Sequence, residues 1–275
     1  MIEIPEAMVL AEQLQKTLTG KTIHNLIANA NPHGFAWFEG DPASYPDRFA
    51  GKTVTGAYAY GGKLHLSLTD NCGFMFCDGI SIRYITNEKK LPKKHQLFFD
   101  FGDGTYLTCS VCMYGCLFGH EGELRNNYDV LARNAPSVLS DAFGLEHLMG
   151  LSKNVNQEKT SVKALLATGQ RIPGFGNGVL QDVLFLSGLH PKRKVETLEK
   201  QDYENLLYNM KKTLAQMTER GGRDVEIDIF GEKGQYKTLM SRNTYRSPCP
   251  KCGGIVVKES YLGGSVYYCP SCQKL

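Results

Sequence analysis

The sequence lacks any long apolar run, and none of its 275 residues falls in a stretch approaching the ~18 apolar residues of a membrane helix. Its start also lacks a basic segment leading into an apolar one, so no secretory signal is expected. Neither sign of charge dominates: 31 basic against 28 acidic side chains leave a net charge of +3, too little to demand a nucleic-acid partner. No internal repeat or low-complexity tract is present, which excludes a solenoid. The one glycine-rich turn is not followed by Gly-Lys-Ser/Thr, which excludes a Walker phosphate loop. These absences leave an ordinary globular chain, 42% hydrophobic and 21% charged, expected in the cytoplasm with no membrane partner. Its length suffices for two domains and a small appendage.

Residues 5–18, PEAMVLAEQLQKTL, carry apolar side chains at helical spacing, and Gly20 is a natural stop. From about 21 to 120 the pattern changes to short alternating segments such as KLHLSLTD, ISIRYI and LFFDFG. Gly61-Gly62, Asp70-Asn71 and Gly102-Asp103-Gly104 mark turns between them. This predicts an antiparallel sandwich or barrel. HEGELRN marks a joint. Residues 136–217 then read as helices, including SVLSDAFGLEHLMGL, TSVKALLATG, GNGVLQDVLFLSGL and VETLEKQDYENLLYNMKKTLAQMTE. Residues 223–245 are mixed and polar, and a mobile loop is expected there. The fold class is α+β. A helix precedes an N-terminal β-sandwich over 1–122, a helical domain spans 123–245, and a finger closes the chain over 246–275.

Two short stretches invite chemistry. The chain begins MIEIPEA, with Glu3 and Glu6 close to an α-amine. Acids and a proline there suit the start of a helix. They also surround an amine which, with a usual pKa of about 7.7–8.0, is partly free base at neutral pH and therefore a nucleophile. The second stretch, VKALLATGQRIPGFGNGVLQDVLFLSGLHPKR (162–193), reads as helix, turn, helix. Gly174, Gly176 and Gly178 would leave backbone N–H groups uncovered at the second helix's start, a ready phosphate site. Asn177 would cap the helix or donate to the phosphate, and Lys163 would supply charge. The same glycines would equally suit a turn that needs them only for steric room.

Nine cysteines, an odd number without a secretory signal, argue for reduced thiols. Four of them, Cys249, Cys252, Cys269 and Cys272, form two C-x2-C pairs with 16 residues between. Four thiolates so spaced close a tetrahedron around one structural Zn²⁺ and leave no open position for catalysis. Cys109, Cys112 and Cys116, with His120 nearby, have a superficially similar spacing. Strand alternation scatters them over both faces, and buried small apolar residues are the expectation there.

Together these pieces resemble the formamidopyrimidine-DNA glycosylase and endonuclease VIII family, over essentially the whole chain and in the same order. The matching parts are Ile2 to Glu6, the lysine of GGKLHL (Lys63), PKKHQLFFDFGDGTYL (92–107), the helix–two-turn–helix PGFGNGVLQDVLFLSGLHP, and the finger. The resemblance implies a DNA glycosylase with lyase activity that flips a damaged base from double-stranded DNA. In it the N-terminal amine of Met1, or of Ile2 if Met1 is removed, attacks C1′ of the sugar and forms a Schiff base. Glu3 would move protons on the sugar and leaving base. Glu6 would orient the terminus, and Lys63 would neutralise the flanking phosphate. A clamp of this kind needs only a monomer.

The sequence departs from the family's pattern at three places. Ile2 stands where a proline is usual, and a large second residue implies that Met1 is retained. SVCMYG (110–115) replaces a D-P-R-R-F-G motif, so Met113 and Tyr114 would act as an apolar wedge with weak discrimination of the opposite base. Gly264 replaces the finger's arginine, which leaves Lys258 and neighbouring amides to hold phosphate. These departures support a second reading, a catalytically impaired lesion-binding protein on the same scaffold.

Overall fold

The computed structural model describes residues 1–275. The first helix, α1 (Ile4–Leu18), has Pro5 in its opening turn and buries Val9, Leu10, Leu14 and Leu18 along one side. Gly20, at φ +86°, turns the chain into strands β1 (Asn25–Ala28) and β2 (Ala36–Trp37). A short α2 (Tyr45–Phe49) follows. Then come β3 (Val54–Tyr60), β4 (Lys63–Leu68), β5 (Cys72–Ile85), β6 (Leu97–Asp100) and β7 (Tyr106–Glu121). The expected sandwich takes the form of one continuous seven-stranded sheet, ordered β1-β6-β7-β5-β4-β3, with β2 added parallel to β7. The long β5 and β7 serve both ends of it: β5 pairs with β4 through its first half and with β7 along most of its length, and β7 pairs with β6 over its first residues, Tyr106–Cys109. Their register breaks between Asp78 and Ile80, where Asp78 adopts φ +63°. Such a bulge re-aims side chains, and this one lies beside the cleft described below. Leu14, Phe49, Phe74, Phe76 and Phe99 fill the core under the sheet.

The helical part comprises α3 (Asn127–Asn134), α4 (Leu145–Lys153), α5 (Val162–Ala167), α6 (Asn177–Leu186) and α7 (Lys200–Glu219). Helix α3 was not anticipated, although Asn126 is a good cap and accepts from the amides of Tyr128 and Asp129. The helix expected over SVLSDAFGLEHLMGL (137–151) begins only at Leu145, because residues 137–144 make turns. Leu165, Val179, Val183, Leu206, Met210 and Leu214 form a second core, and Ile4 of α1 belongs to it while Leu10 and Leu14 belong to the first. One helix thus joins the two cores.

The segment 223–245 differs from the mobile loop expected of it. It crosses back over the sheet, where Ile229 is buried in the first core and its carbonyl accepts from Tyr84 N at 2.7 Å. The Gln13 amide donates to Asp228 at 2.8 Å, and Arg223, Tyr236 and Met240 are buried. The chain ends in the hairpin β8 (Val257–Tyr261) and β9 (Gly264–Tyr268). Val256, Cys249 and Cys269 pack there against Phe185 of α6.

Candidate active site

The first residues are stitched to three distant parts of the chain. Ile2 N donates to Asp78 O at 2.7 Å on the bulge of β5, and Ile4 N donates to Gly174 O at 3.0 Å in the turn before α6. Glu3 is the extended residue before α1, but its side chain does not cap that helix. Its carboxylate instead accepts from Gly178 N at 2.8 Å and Val179 N at 2.7 Å, at the start of α6. The positive end of the helix dipole favours an anion there by up to about 2 kcal/mol. Glu6 receives a two-pronged contact from Arg223, with Nε at 2.8 Å and Nη2 at 2.7 Å. Arg223 Nη1 lies 3.4 Å from Glu3, so one buried guanidinium joins both acids. Burial pushes the Glu3 carboxyl above its ordinary pKa, opposed by Arg223 and the two amides. It therefore keeps a proton to higher pH than a solvated glutamate, as a general acid requires. Neither Arg223 nor Glu226 was anticipated. They lie in a polar segment whose only sequence signal is the Gly221-Gly222 stop before it.

The Met1 amine lies 2.5 Å from Glu226 Oε2 and opens onto a cleft of about 530 Å³. The Ile2 nitrogen is a backbone amide engaged with Asp78, and the Ile2 side chain is buried. Glu3, Met113, Tyr114, Lys163, Gly176 and Asn177 also line the cleft, along with the fingertip residues Leu262 to Ser265. Met113 is 63% exposed at its rim, and Tyr114 packs beside Trp37 with ring centres 5.9 Å apart. Lys63 and Lys258 do not line the cleft. Lys63 is buried on β4, and Lys258 is exposed on β8.

The turn before α6 decides between the two readings of its glycines mostly for steric room. A Cβ on Gly174 would fall 2.0 Å from Gly62 N, one on Gly176 would fall 2.5 Å from the Glu3 carboxylate, and one on Gly178 would fall 1.6 Å from Arg223 Nη1. The amides of Gly178 and Val179 already serve Glu3, so they are not free for a phosphate. Nor does Asn177 cap the helix. Its Nδ2 donates to Ser265 O at 2.7 Å and ties the fingertip to α6, while its Oδ1 is buried without a partner. Lys163 donates to Tyr261 O at 2.5 Å, and burial pulls its amine below the usual lysine value. A Cβ on Gly264 would meet Lys163 Nζ at 3.6 Å and Asn177 Nδ2 at 3.5 Å. The place an arginine would leave is thus bordered by a lysine from α5.

The ligand atoms of Cys249, Cys252, Cys269 and Cys272 all lie within 4.8 Å of one another and could hold a metal ion. Lys251 N and Gly254 N each donate to a sulfur at 3.4 Å, which steadies thiolate charge. Cys109, Cys112 and Cys116 do not converge: the first is buried, the second exposed and the third half-buried.

One cleft thus lies between a sheet and a helix–two-turn–helix, closed by a four-cysteine finger and lined by an amine and a buried acid. The chain carries an H2TH domain of the formamidopyrimidine-DNA glycosylase type and is similar over its full length to proteins of that name. The formamidopyrimidine-DNA glycosylase H2TH domain model matches residues 134–228. The chain is 31% identical to the formamidopyrimidine-DNA glycosylase of Neisseria meningitidis over 180 residues, which is 63% of each chain. It is 28% identical to that of Geobacillus kaustophilus over the full length of both. Among solved structures, the MutM (Fpg) protein of Thermus thermophilus superposes with a TM-score of 0.81 at 21% identity, over 98% of each chain. The Lactococcus lactis Fpg in complex with abasic-site DNA gives 0.84 at 20% identity, over 99% of this chain and 100% of that one.

Proposed function

We propose that this chain is a base-excision-repair DNA glycosylase with abasic-site lyase activity, acting on damaged double-stranded DNA as a monomer in the cytoplasm, at the nucleoid in a bacterial cell. The observation that carries this reading is the Met1 amine, held at the cleft beside a Glu3 whose burial raises its pKa. The amine attacks C1′ of a flipped nucleotide while Glu3 donates a proton to the sugar ring oxygen or the leaving base. Loss of the base leaves a Schiff base, and elimination from it cuts the strand. Glu226 takes the proton that the ammonium must lose before attack. Arg223 holds Glu3 and Glu6 in place, and Gly176 leaves room for Glu3.

The wedge is Met113 with Tyr114. Lys163, Asn177 and Lys258 hold backbone phosphate, with Lys63 reaching a phosphate only after leaving its buried position. The division of labour follows 1–122 for chemistry, 123–245 for the helix–two-turn–helix and 246–275 for the finger. The finger's ion is Zn²⁺, and its role is structural. Zinc–thiolate bonds of about 2.3 Å make a tetrahedron with edges of about 3.8 Å. The Cys249–Cys272 and Cys252–Cys269 sulfurs are 3.9 and 3.5 Å apart.

The test is borohydride trapping of the untagged protein on abasic-site duplex DNA, followed by mass spectrometry of the N-terminal peptide. A crosslink on the Met1 amine is expected. A crosslink on Lys63 would keep the enzyme and move the nucleophile. Tight binding without any crosslink would favour the lesion-binding alternative, which exposed Met113 and bare Gly264 support.

A further inference from the structure

Beside the cleft, three residues stand in a row across three strands. The register places Lys63 of β4 opposite Cys77 of β5, and Cys77 opposite Cys116 of β7. The Cys77 thiol donates to Asp78 Oδ2 at 3.0 Å, and the ligand atoms of Cys77, Asp78 and Cys116 lie within 4.8 Å of one another. Cys77 is buried and Cys116 half-buried, in a small apolar cluster with Met75 and Phe118. The charged neighbours of the buried Lys63 amine are these same two sulfurs and Asp78. Asp78 in turn carries the carbonyl that holds Ile2.

We infer that Cys77 and Cys116 are an oxidation site, a thiol pair that a hydroperoxide converts to a cross-strand disulfide beside the cleft. Directly opposed residues of an antiparallel pair have Cα atoms about 4.5–5.5 Å apart, inside the ~4.4–6.8 Å span of a disulfide. The neighbouring Cys77 thiol, and after it the Lys63 ammonium, hold the Cys116 thiol below its ordinary pKa, whereas the Cys77 thiol is held well above its own. The half-buried Cys116 is therefore the more acidic thiol and the one a peroxide reaches, and the buried Cys77 is the resolving thiol. Cys116 sulfur attacks one peroxide oxygen: an S–O bond forms, the O–O bond breaks, and the leaving oxygen departs as water or an alcohol after protonation. Cys77 sulfur then attacks the sulfenic acid on Cys116, passing its proton through Asp78 to the departing hydroxide, which leaves as water. Two thiols lose two electrons and one hydroperoxide gains them. A metal ion fits the same atoms poorly, because only three ligands converge and an ammonium faces them.

The disulfide removes the thiolate that faces the Lys63 amine. Under the glycosylase reading, on which this consequence rests, oxidation frees a buried lysine for a DNA phosphate. An oxidant would then prime a repair protein for the damage the oxidant causes. Formation of the disulfide itself does not depend on that reading.

The experiment uses the full-length, zinc-loaded protein, treated with hydrogen peroxide, alkylated and mapped by peptide mass spectrometry. A linked Cys77–Cys116 peptide pair is expected before the finger cysteines oxidise. Cys77→Ser should trap a sulfenic acid on Cys116 with a dimedone-type probe, and Cys116→Ser should leave Cys77 unlabelled. Acylation of Lys63 should rise several-fold on oxidation of the wild type and stay unchanged in Cys116→Ser. Absence of the linked pair, or equal labelling of Cys77, would overturn the inference. A second zinc per chain, lost in Cys116→Ser, would overturn it in favour of a metal site. None of these readouts requires DNA cleavage, so failure of the glycosylase reading would show separately, in the trapping experiment.

Discussion

Two parts of the cleft lining, the N-terminal acids and the wedge with the fingertip, are built on opposite principles. Around the N-terminus the acids Glu3 and Glu6 are buried and paired: each is under 10% exposed, and one guanidinium and the first turn of α6 satisfy them. Elsewhere in the cleft, on β7 and the fingertip, the lining groups are more exposed and mostly uncharged: Met113, Tyr114 and the fingertip glycines. Buried ions hold their geometry before any ligand arrives, which suits bond-making. Exposed apolar groups adapt to whatever is pressed against them, which suits unstacking a base without naming its partner. Under the proposed function, the chemistry is preorganised and the grip on DNA is not.

Breaking the arrangement of the N-terminal acids should have the largest effect. Arg223→Ala leaves two buried carboxylates without their cation, and a loss of about 3–5 kcal/mol is expected in urea unfolding. Glu3→Gln should slow base excision by about 10²–10⁴-fold with duplex binding retained. Because burial raises the Glu3 pKa, wild-type excision should fall as pH rises through that elevated value, above the ordinary ~4.3. A rate–pH profile of Glu3→Gln should lack that limb, and its persistence would assign the acid to another residue.

Smaller changes sharpen the contrast. Gly178→Ala forces a Cβ onto Arg223 Nη1 at 1.6 Å and should cost about 1–3 kcal/mol of stability. At the fingertip, Gly264→Arg adds a cation where the nearest neighbours are 3.5 Å or more from a new Cβ. The plot of log affinity against log salt should steepen by about 0.9, read by titrating duplex DNA at several salt concentrations. Gly150→Ala, in α4 with nothing within 4 Å of a new Cβ, should stabilise by about 0.5–1 kcal/mol in thermal melts. It is the control showing that glycine is required at the turn before α6 and not in helices generally.

Much of this architecture was legible in the sequence, because period and punctuation are local signals. The apolar stripe of α1, the alternation around Lys63, the helix pair around Gly174–Gly178 and the cysteine spacing all announced themselves within windows of a few dozen residues. The carboxylates Glu3 and Glu6 were legible as well, but their partner was not. Arg223 lies more than 200 residues away in a segment with no periodicity, and only the folded chain brings its guanidinium to them. Helix α3 was overlooked because its eight residues are too polar to leave a stripe, although Asn126 gave a capping signal. The strands were legible as an antiparallel sandwich or barrel, but not that β5 and β7 run through what looked like separate segments and join both ends of one continuous sheet.

The stitching of residues 1–6 to Gly174–Val179 and Arg223–Glu226 also dictates a sequence of events. Ribosomal synthesis makes the amine and Glu3 first and the residues that organise them last. Contacts between positions 217 to 225 residues apart carry the closure entropy of a loop that spans both cores, so they are expected to close late. A nascent or truncated chain ending before Arg223 therefore carries Glu3 and Glu6 without the guanidinium that joins them. Under the proposed function, the reactive end would lack its organising partners until translation passes Glu226.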